Sequence, residues 1–142
     1  SPTRQAPPMN KETPTILVVD DDSSILEQVA EVLKANGYNY ITCTSAEEGL
    51  EYARSRSIDL IVSDINLGDE SGLTMCESIR EIPGCAEIPV MFLSGAQIPN
   101  IIRRSHEAGG TYYLRKPFDP EVLIELIEKG MWMPHLVRAH MA

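Results

Sequence analysis

The chain has 142 residues, and 21 acidic against 12 basic side chains give it a formal net charge of -9. This length fits one domain of ordinary size, and 43% apolar residues can fill its core, which excludes global disorder and a fibrous repeat. Because the negative charge repels phosphates and anionic lipid, we expect neither direct nucleic-acid binding nor attachment to a membrane.

Residues 1–14 contain four of the ten prolines and almost no apolar pattern. This composition predicts a flexible linker or a cloning remnant. The predicted domain spans residues 15–130, and residues 131–142 are predicted to form a C-terminal tail.

From residue 15 onward, short apolar runs alternate with longer segments of helical period. This alternation is typical of βαβ units with parallel strands. The five predicted strands are residues 15–19, 38–43, 59–63, 89–93 and 111–115. The first, third and fourth are nearly continuous apolar runs, as expected when helices cover both faces of a sheet.

A predicted helix follows each of the five strands. The first two begin with capping-box patterns, Ser24 with Glu27 and Ser45 with Glu48. Asp22, just before the first helix, also has the residue type of an N-cap. The other three helices are predicted at residues 71–82, 99–108 and 120–130, the last of them ended by Gly130.

Polar side chains follow four of the predicted strands. They are Asp20 and Asp21 after the first strand, Asp64 after the third, Ser94 after the fourth and Lys116 after the fifth. Open parallel sheets place their ligand sites at this edge. Two carboxylates about 4 Å apart repel each other by about 4 kcal/mol at an effective dielectric constant of 20, so we expect a proton or a small hard cation to offset the repulsion.

The chemistry of these side chains indicates a phosphoryl site. Oxygen ligands with open coordination positions suit Mg²⁺ or Mn²⁺. A cation, the Lys116 ammonium and the Ser94 hydroxyl aimed at one spot would stabilise a phosphoryl group, with Asp64 as its acceptor.

Four motifs together resemble the receiver domain of two-component response regulators. They are the run Ile-Leu-Val-Val-Asp-Asp-Asp at residues 16–22, Asp64, Ser94-Gly95 and Lys116-Pro117-Phe118. The resemblance covers residues 15–129. It implies an α/β, three-layer, doubly wound (βα)5 receiver fold of the flavodoxin-like type, with a parallel sheet in the order 2-1-3-4-5.

The resemblance also implies a function in a phosphorelay. Asp64 would take a phosphoryl group from a histidine kinase or a histidine phosphotransfer protein, and the domain would signal through its fourth helix, fifth strand and fifth helix. The output partner or domain is not identified by the sequence. Such a domain is not an enzyme beyond its own phosphorylation and autodephosphorylation, and we expect it in the reducing cytoplasm because its three cysteines form no C-x-x-C pair.

Individual roles follow from the same resemblance. The metal ligands would be Asp20, Asp21, Asp64 and the backbone carbonyl of Asn66. Ser94 and Lys116 would contact the phosphoryl group, Tyr113 would be the aromatic switch residue, and the Lys116–Pro117 bond would be cis.

Two positions depart from the usual receiver pattern. Gly68 stands where receivers usually have proline, which predicts a looser loop around Asn66. Ala96 is small where relatives often carry larger side chains, so it should not shield an acyl phosphate from water.

Two other functions stay open at this point. Residues 20–24 fit the D-x-D-x-T/S start of a magnesium-dependent phosphohydrolase of the haloacid-dehalogenase type, with Asp20 as nucleophile, although no second acidic pair follows Lys116. The third possibility is a receiver-like interaction module that works without phosphorylation.

Overall fold

The computed structural model describes the backbone of residues 13–95 and 98–141 and side chains as far as residue 132. The predicted linker up to residue 12, and Ala96, lie outside the described residues. The central strands are β1 Thr15–Val19, β2 Asn39–Cys43 and β3 Leu60–Asp64, followed by a hairpin of β4 Asn66–Leu67 and β5 Glu70–Ser71, and then by β6 Val90–Ser94 and β7 Tyr112–Arg115. The helices are α1 Ser23–Ala35, α2 Ala46–Ser55, α3 Gly72–Arg80, α4 Ile101–Glu107 and α5 Pro120–Met141.

Five of the strands form one parallel sheet in the order β2-β1-β3-β6-β7. The predicted fourth and fifth strands are β6 and β7, so the predicted order 2-1-3-4-5 is confirmed. The short antiparallel pair β4–β5 lies outside this sheet and was not predicted.

Alternate residues of the central strands enter two separate cores. In β1, Ile16 and Val18 pack with the buried side chains of α1 and α5. Leu17 and Val19 point the other way, into a core shared with α2 and α3. Since all four are fully buried, the continuous apolar run of β1 reflects two covered faces, and the fold has three layers.

The first two helices begin in different ways. Asp22, and not Ser24, caps α1, since its side chain accepts from the Ser24 amide at 2.9 Å. The predicted capping box of Ser24 with Glu27 is therefore wrong, because Ser24 lies inside the first turn of α1. The second capping box is confirmed, with Ser45 Oγ accepting from the Glu48 amide at 3.2 Å.

The fifth helix is longer than the sequence predicts. Instead of ending at Gly130, α5 continues to Met141, so the predicted tail begins inside a helix. Gly130 is buried, and a Cβ atom there would lie 2.9 Å from Leu60 Cδ1. Its small size therefore serves the close packing of α5 against β3 and does not mark a helix end.

The described residues contain no helix that is both long and apolar enough to cross a membrane.

Candidate functional site

Three carboxylates meet at the carboxyl edge of the sheet. Asp20 follows β1 and Asp64 ends β3, and these strands are neighbours with Val19 opposite Ser63. Asp20, Asp21 and Asp64 each offer a carboxylate oxygen, and these oxygens lie within 4.8 Å of one another. The adjacent β1 and β3 thus bring together side chains that are 44 residues apart in the sequence.

Asp20 is the most buried member of this cluster, with no exposed surface. Its Oδ1 accepts from the Asp22 amide at 2.9 Å, whereas no described residue donates a hydrogen bond to its buried Oδ2. Lys116 Nζ lies 2.8 Å from that oxygen as an ion pair outside hydrogen-bond geometry. Burial raises the pKa of Asp20, Asp64 adds to this effect, and Lys116 and the Asp22 amide oppose it.

Lys116 follows β7, the edge strand of the sheet, and its ammonium reaches both Asp20 and Asp64. Its ammonium also contacts Asp64 Oδ2 at 2.5 Å, and its side chain is 16% exposed. Burial by itself lowers the pKa of Lys116, but the two carboxylates outweigh burial and the pKa is raised. Lys116 therefore stays a cation, and one positive charge faces three carboxylates. The Lys116–Pro117 bond is cis, as the resemblance implied.

The backbone of Asp64 is held by Ser63 and Gly72, which no sequence motif includes. Ser63 Oγ donates to the Asp64 carbonyl at 2.9 Å. A Cβ atom on Gly72 would lie 2.0 Å from that same carbonyl oxygen, so only glycine fits there. A glycine just after Ser71, the N-cap of α3, was the sequence signal for this close approach.

Asn66 begins the hairpin two residues after Asp64. Its amide donates to Asp64 Oδ1 at 2.8 Å. In an extended strand, the N–H and C=O groups of one residue point to the same side. The Asn66 carbonyl is therefore expected to face the carboxylate cluster as well.

Gly68 lies at the turn of the hairpin, where the sequence predicted a looser loop. The turn is closed by the pairs Asn66 with Ser71 and Leu67 with Glu70. Gly68 has φ of +72°, which proline cannot adopt because its ring fixes φ near −65°. The usual proline of receivers is thus incompatible with this turn. The pair Gly68-Asp69 between two short strands was a hairpin signal in the sequence.

We expect Gly68→Pro to destabilise the domain by more than about 1 kcal/mol, because proline would have to break the turn. Urea unfolding measures the effect. Gly68→Asn is the matched control, since asparagine tolerates positive φ and the position has open space around it, with only Asp21 Oδ2 at 3.8 Å from the Cβ site. Equal stability of the proline variant and the parent would contradict this description of the turn.

Ser94 lies on β6, the neighbour of β3, and Tyr113 lies on β7, the next strand and the edge of the sheet. Ser94 ends β6 fully buried, and its carbonyl accepts from the Lys116 amide at 2.8 Å. Tyr113 is half-buried and packs against the core that Ile98 and Ile101 of the α4 region also cover. Tyr112 packs on the opposite core with α1 and α5. The two tyrosines therefore point to opposite faces of the sheet, with Tyr113 on the side of α4.

The residues present suit a hard divalent cation. Oxygen atoms of three carboxylates converge, and the buried Asp20 Oδ2 has no hydrogen-bond donor among the described residues. Lys116 is the positive partner of this atom, but it shares its one charge with Asp64, so the cluster of three carboxylates keeps an excess of negative charge. Mg²⁺ binds through one or two carboxylates plus water and phosphate oxygens and would offset that excess. The partly exposed side of the cluster, at Asp21, leaves room for those other ligands.

A family model described as the response regulator receiver domain matches residues 16–128 of this chain. The transcriptional regulatory protein YvrH of Bacillus subtilis is 34% identical over 110 residues, which are 77% of this chain and 45% of the relative. The cell cycle transcriptional regulator CtrA of Caulobacter vibrioides is 30% identical over 112 residues, 79% of this chain and 48% of the relative. The chain thus spans about half the length of these relatives.

Solved structures with the same fold include receiver domains, as the sequence relatives lead one to expect. The chemotaxis protein CheY4 of Vibrio cholerae superposes with a TM-score of 0.78 at 28% identity, covering 82% of this chain and 98% of that one. The signal receiver domain of an HD domain-containing protein from Pseudomonas fluorescens gives a TM-score of 0.80 at 25% identity, covering 89% and 93%.

Proposed function

The chain belongs to the receiver domain family of two-component response regulators, and from this premise we propose that Asp64 is its phosphoacceptor. Domains of this family act in signal transduction and not as classical enzymes. The observation that carries the proposal is the position of the Asp64 carboxylate, which contacts the Lys116 ammonium and lies beside two further carboxylates at the carboxyl edge of the sheet.

In the proposed reaction, a carboxylate oxygen of Asp64 attacks the phosphorus of a phosphohistidine. The new P–O bond forms as the P–N bond breaks, and the electron pair stays on the leaving imidazole nitrogen, which takes a proton from water. With a small acyl phosphate as donor, a P–O bond breaks instead and a carboxylate leaves. Lys116, which already contacts Asp64 Oδ2, would follow the negative charge onto the phosphoryl oxygens.

Asp20, Asp21, Asp64 and the carbonyl of Asn66 would hold a Mg²⁺ or Mn²⁺ ion. When bound, this ion would neutralise charge on the transferring phosphoryl group. Residues of the chain hold the acceptor in place, because Ser63 and Gly72 fix the backbone of Asp64. The positive charge of Lys116 offsets the negative charge of the buried Asp20.

The signal would leave through the surface formed by α4, β7 and α5. A phosphoryl group adds about −1.5 to −2 charges, and Ser94 and Lys116 would move towards it. Tyr113 of β7, which packs against the same core as Ile101 of α4, would rearrange with them. Ile102 of α4 is 70% exposed on this surface.

The donor would be a histidine kinase or a histidine phosphotransfer protein. Matched relatives are named as transcriptional regulators, and an output in transcription would need a partner or domain other than this acidic one, because its charge repels DNA. We place the domain in the cytoplasm, because Cys43, Cys76 and Cys85 are all free and buried.

Mass spectrometry after incubation with acetyl phosphate and Mg²⁺ tests the proposal. We expect one added phosphoryl group, and peptide mapping after borohydride reduction should place it on Asp64. Labelling that requires Mg²⁺ and stops at one group supports the acceptor role. No added mass, or a label on another residue, would contradict it.

The family match favours neither alternative function. The phosphohydrolase hypothesis makes Asp20 the nucleophile, yet Asp20 is fully buried and its Oδ1 is occupied by the Asp22 amide. Sustained turnover of a phosphate ester that is lost in Asp20→Asn and kept in Asp64→Asn would support it. A phosphorylation-independent module would show neither turnover nor labelling.

A further inference from the structure

We propose that Glu70 is a positioning residue for the divalent-cation site, and that it acts through the β4–β5 hairpin. The inference rests on the metal site of the proposed function. It adds a residue that has no place in that site and does not touch the three carboxylates. Glu70 lies on β5, and Asn66 lies on β4 of the same hairpin.

The carboxylate of Glu70 anchors the hairpin to a helix that is distant in the chain. Its Oε1 accepts from the amide of Ala46, the first residue of α2, at 2.9 Å and across 24 positions. The side chain of Ser45, the N-cap of α2, accepts from the Glu48 amide and not from the Ala46 amide. Without Glu70, the Ala46 amide would be one of the unpaired donors at the start of a helix. The positive end of the helix dipole also favours a carboxylate at this place.

Because Glu70 and Asn66 lie on paired strands of one hairpin, the contact that fixes Glu70 also restrains Asn66. Leu67 pairs with Glu70, and Asn66 pairs with Ser71. The Gly72 amide donates to the Ile65 carbonyl at 2.7 Å, and because hydrogen-bonded and non-hydrogen-bonded pairs alternate in antiparallel strands, Asn66 and Ser71 form a non-hydrogen-bonded pair. The polar groups of Asn66 therefore point out of the hairpin, as its amide does towards Asp64 Oδ1.

The hairpin is too short to hold this orientation alone. Each strand has only two residues, and an isolated two-stranded hairpin is marginal even when longer. Contacts outside the hairpin must then help to fix it, and they include the burial of Leu67 in the core, the Ser71 cap on α3 and the Glu70 contact with α2. The usual proline of receivers cannot stiffen this loop, because Gly68 has a positive φ. Among these contacts, only that of Glu70 joins the hairpin to α2 by a side-chain hydrogen bond within the described residues, and we infer that it supplies the restraint.

Mg²⁺ titration of three variants by isothermal calorimetry tests the role of Glu70. Glu70→Ala removes the acceptor, and we expect it to weaken Mg²⁺ binding about tenfold, as typical for residues that orient metal ligands. Glu70→Gln keeps an oxygen acceptor and loses the charge, so it should bind Mg²⁺ nearly as the parent does. Glu47→Ala removes an exposed charge from the same helix start and is the matched control.

Amide hydrogen exchange without metal gives a second, independent measurement. In Glu70→Ala, the amides of Ala46 and Asn66 should exchange faster, while those of the central strands stay protected. Circular dichroism checks that the variant remains folded.

The possible results separate this inference from the proposed function. Parent-like Mg²⁺ affinity in Glu70→Ala would overturn the role of Glu70 alone. Equal weakening in Glu70→Gln or in Glu47→Ala would also overturn it, because lost charge would then explain the effect. If the parent protein itself does not bind Mg²⁺, the proposed metal site fails, and the inference fails with it.

Discussion

Replacing Asp64 by asparagine is expected to eliminate phosphoryl uptake from acetyl phosphate. The amide has nearly the shape of the carboxylate, and its oxygen can still accept from the Asn66 amide, as Asp64 Oδ1 does at 2.8 Å. It lacks, however, the anionic oxygen that attacks phosphorus. Intact-mass spectrometry should therefore show the added phosphoryl group on the parent and none on the variant.

Asp69→Asn is the matched control for this experiment. Asp69 is exposed in the turn of the hairpin, five residues further along the chain, and it is not part of the carboxylate cluster. We expect it to take up phosphoryl as the parent does. Undiminished labelling of Asp64→Asn would mean that another residue is the acceptor. The cluster would then need a different function.

The second large effect is expected from Lys116→Met. Methionine fills a similar volume without charge, so the buried carboxylate of Asp20 loses the cation 2.8 Å away. Removing one partner of a buried ion pair costs about 3 kcal/mol. Urea unfolding at neutral pH without divalent ions should show a loss of this size, and Mg²⁺ should restore part of it.

The pH dependence of this loss has a definite sign. Burial raises the pKa of Asp20 in the folded protein above its ordinary value of 3.8. Protonated Asp20 therefore contributes stability that is fully present below pH 3.8 and is lost as the pH rises through the pKa of the folded state. Without Lys116 that folded pKa rises further, because the cation that opposes the shift is gone. The stability difference between Lys116→Met and the parent should therefore shrink as the pH is lowered from neutrality.

Lys34→Met is the control for the loss of a positive charge. Lys34 is exposed near the end of α1, and it has no salt bridge among the described residues. Its stability should stay close to that of the parent over the same pH range. Parent-like stability of Lys116→Met in the absence of Mg²⁺ would show that the ion pair does not balance the cluster.

Much of the candidate site could be predicted because strand ends carry positional information. Asp64 and Ser94 each end a strand, Asp20 follows the end of another, and parallel strands bring such residues to one edge. The apolar runs gave the strands, and the edge followed from their common direction. The convergence of Asp20, Asp21 and Asp64 needed no knowledge of side-chain contacts, because it follows from the adjacency of β1 and β3.

Helix limits were predicted less well, because the deciding contacts are distant in the chain. Gly130 reads as a helix end in isolation, yet the helix passes through it and packs it against Leu60 of β3. Ser24 reads as a helix start, yet Asp22 provides the cap two residues earlier. Local residue preferences cannot rank two nearby caps, nor detect a close approach between a helix and a strand.

The sequence by itself determined the alternating βα pattern, the acidic and basic residues at the strand ends and the family to which they belong. Only the tertiary structure decided how the loop after Asp64 folds, because the contact between Glu70 and Ala46 joins residues 24 positions apart. The tertiary structure alone also decided that Gly72 packs closely against the Asp64 carbonyl. Hydrophobic periodicity reports which side of an element is buried, whereas these polar contacts depend on how separate elements are placed in space.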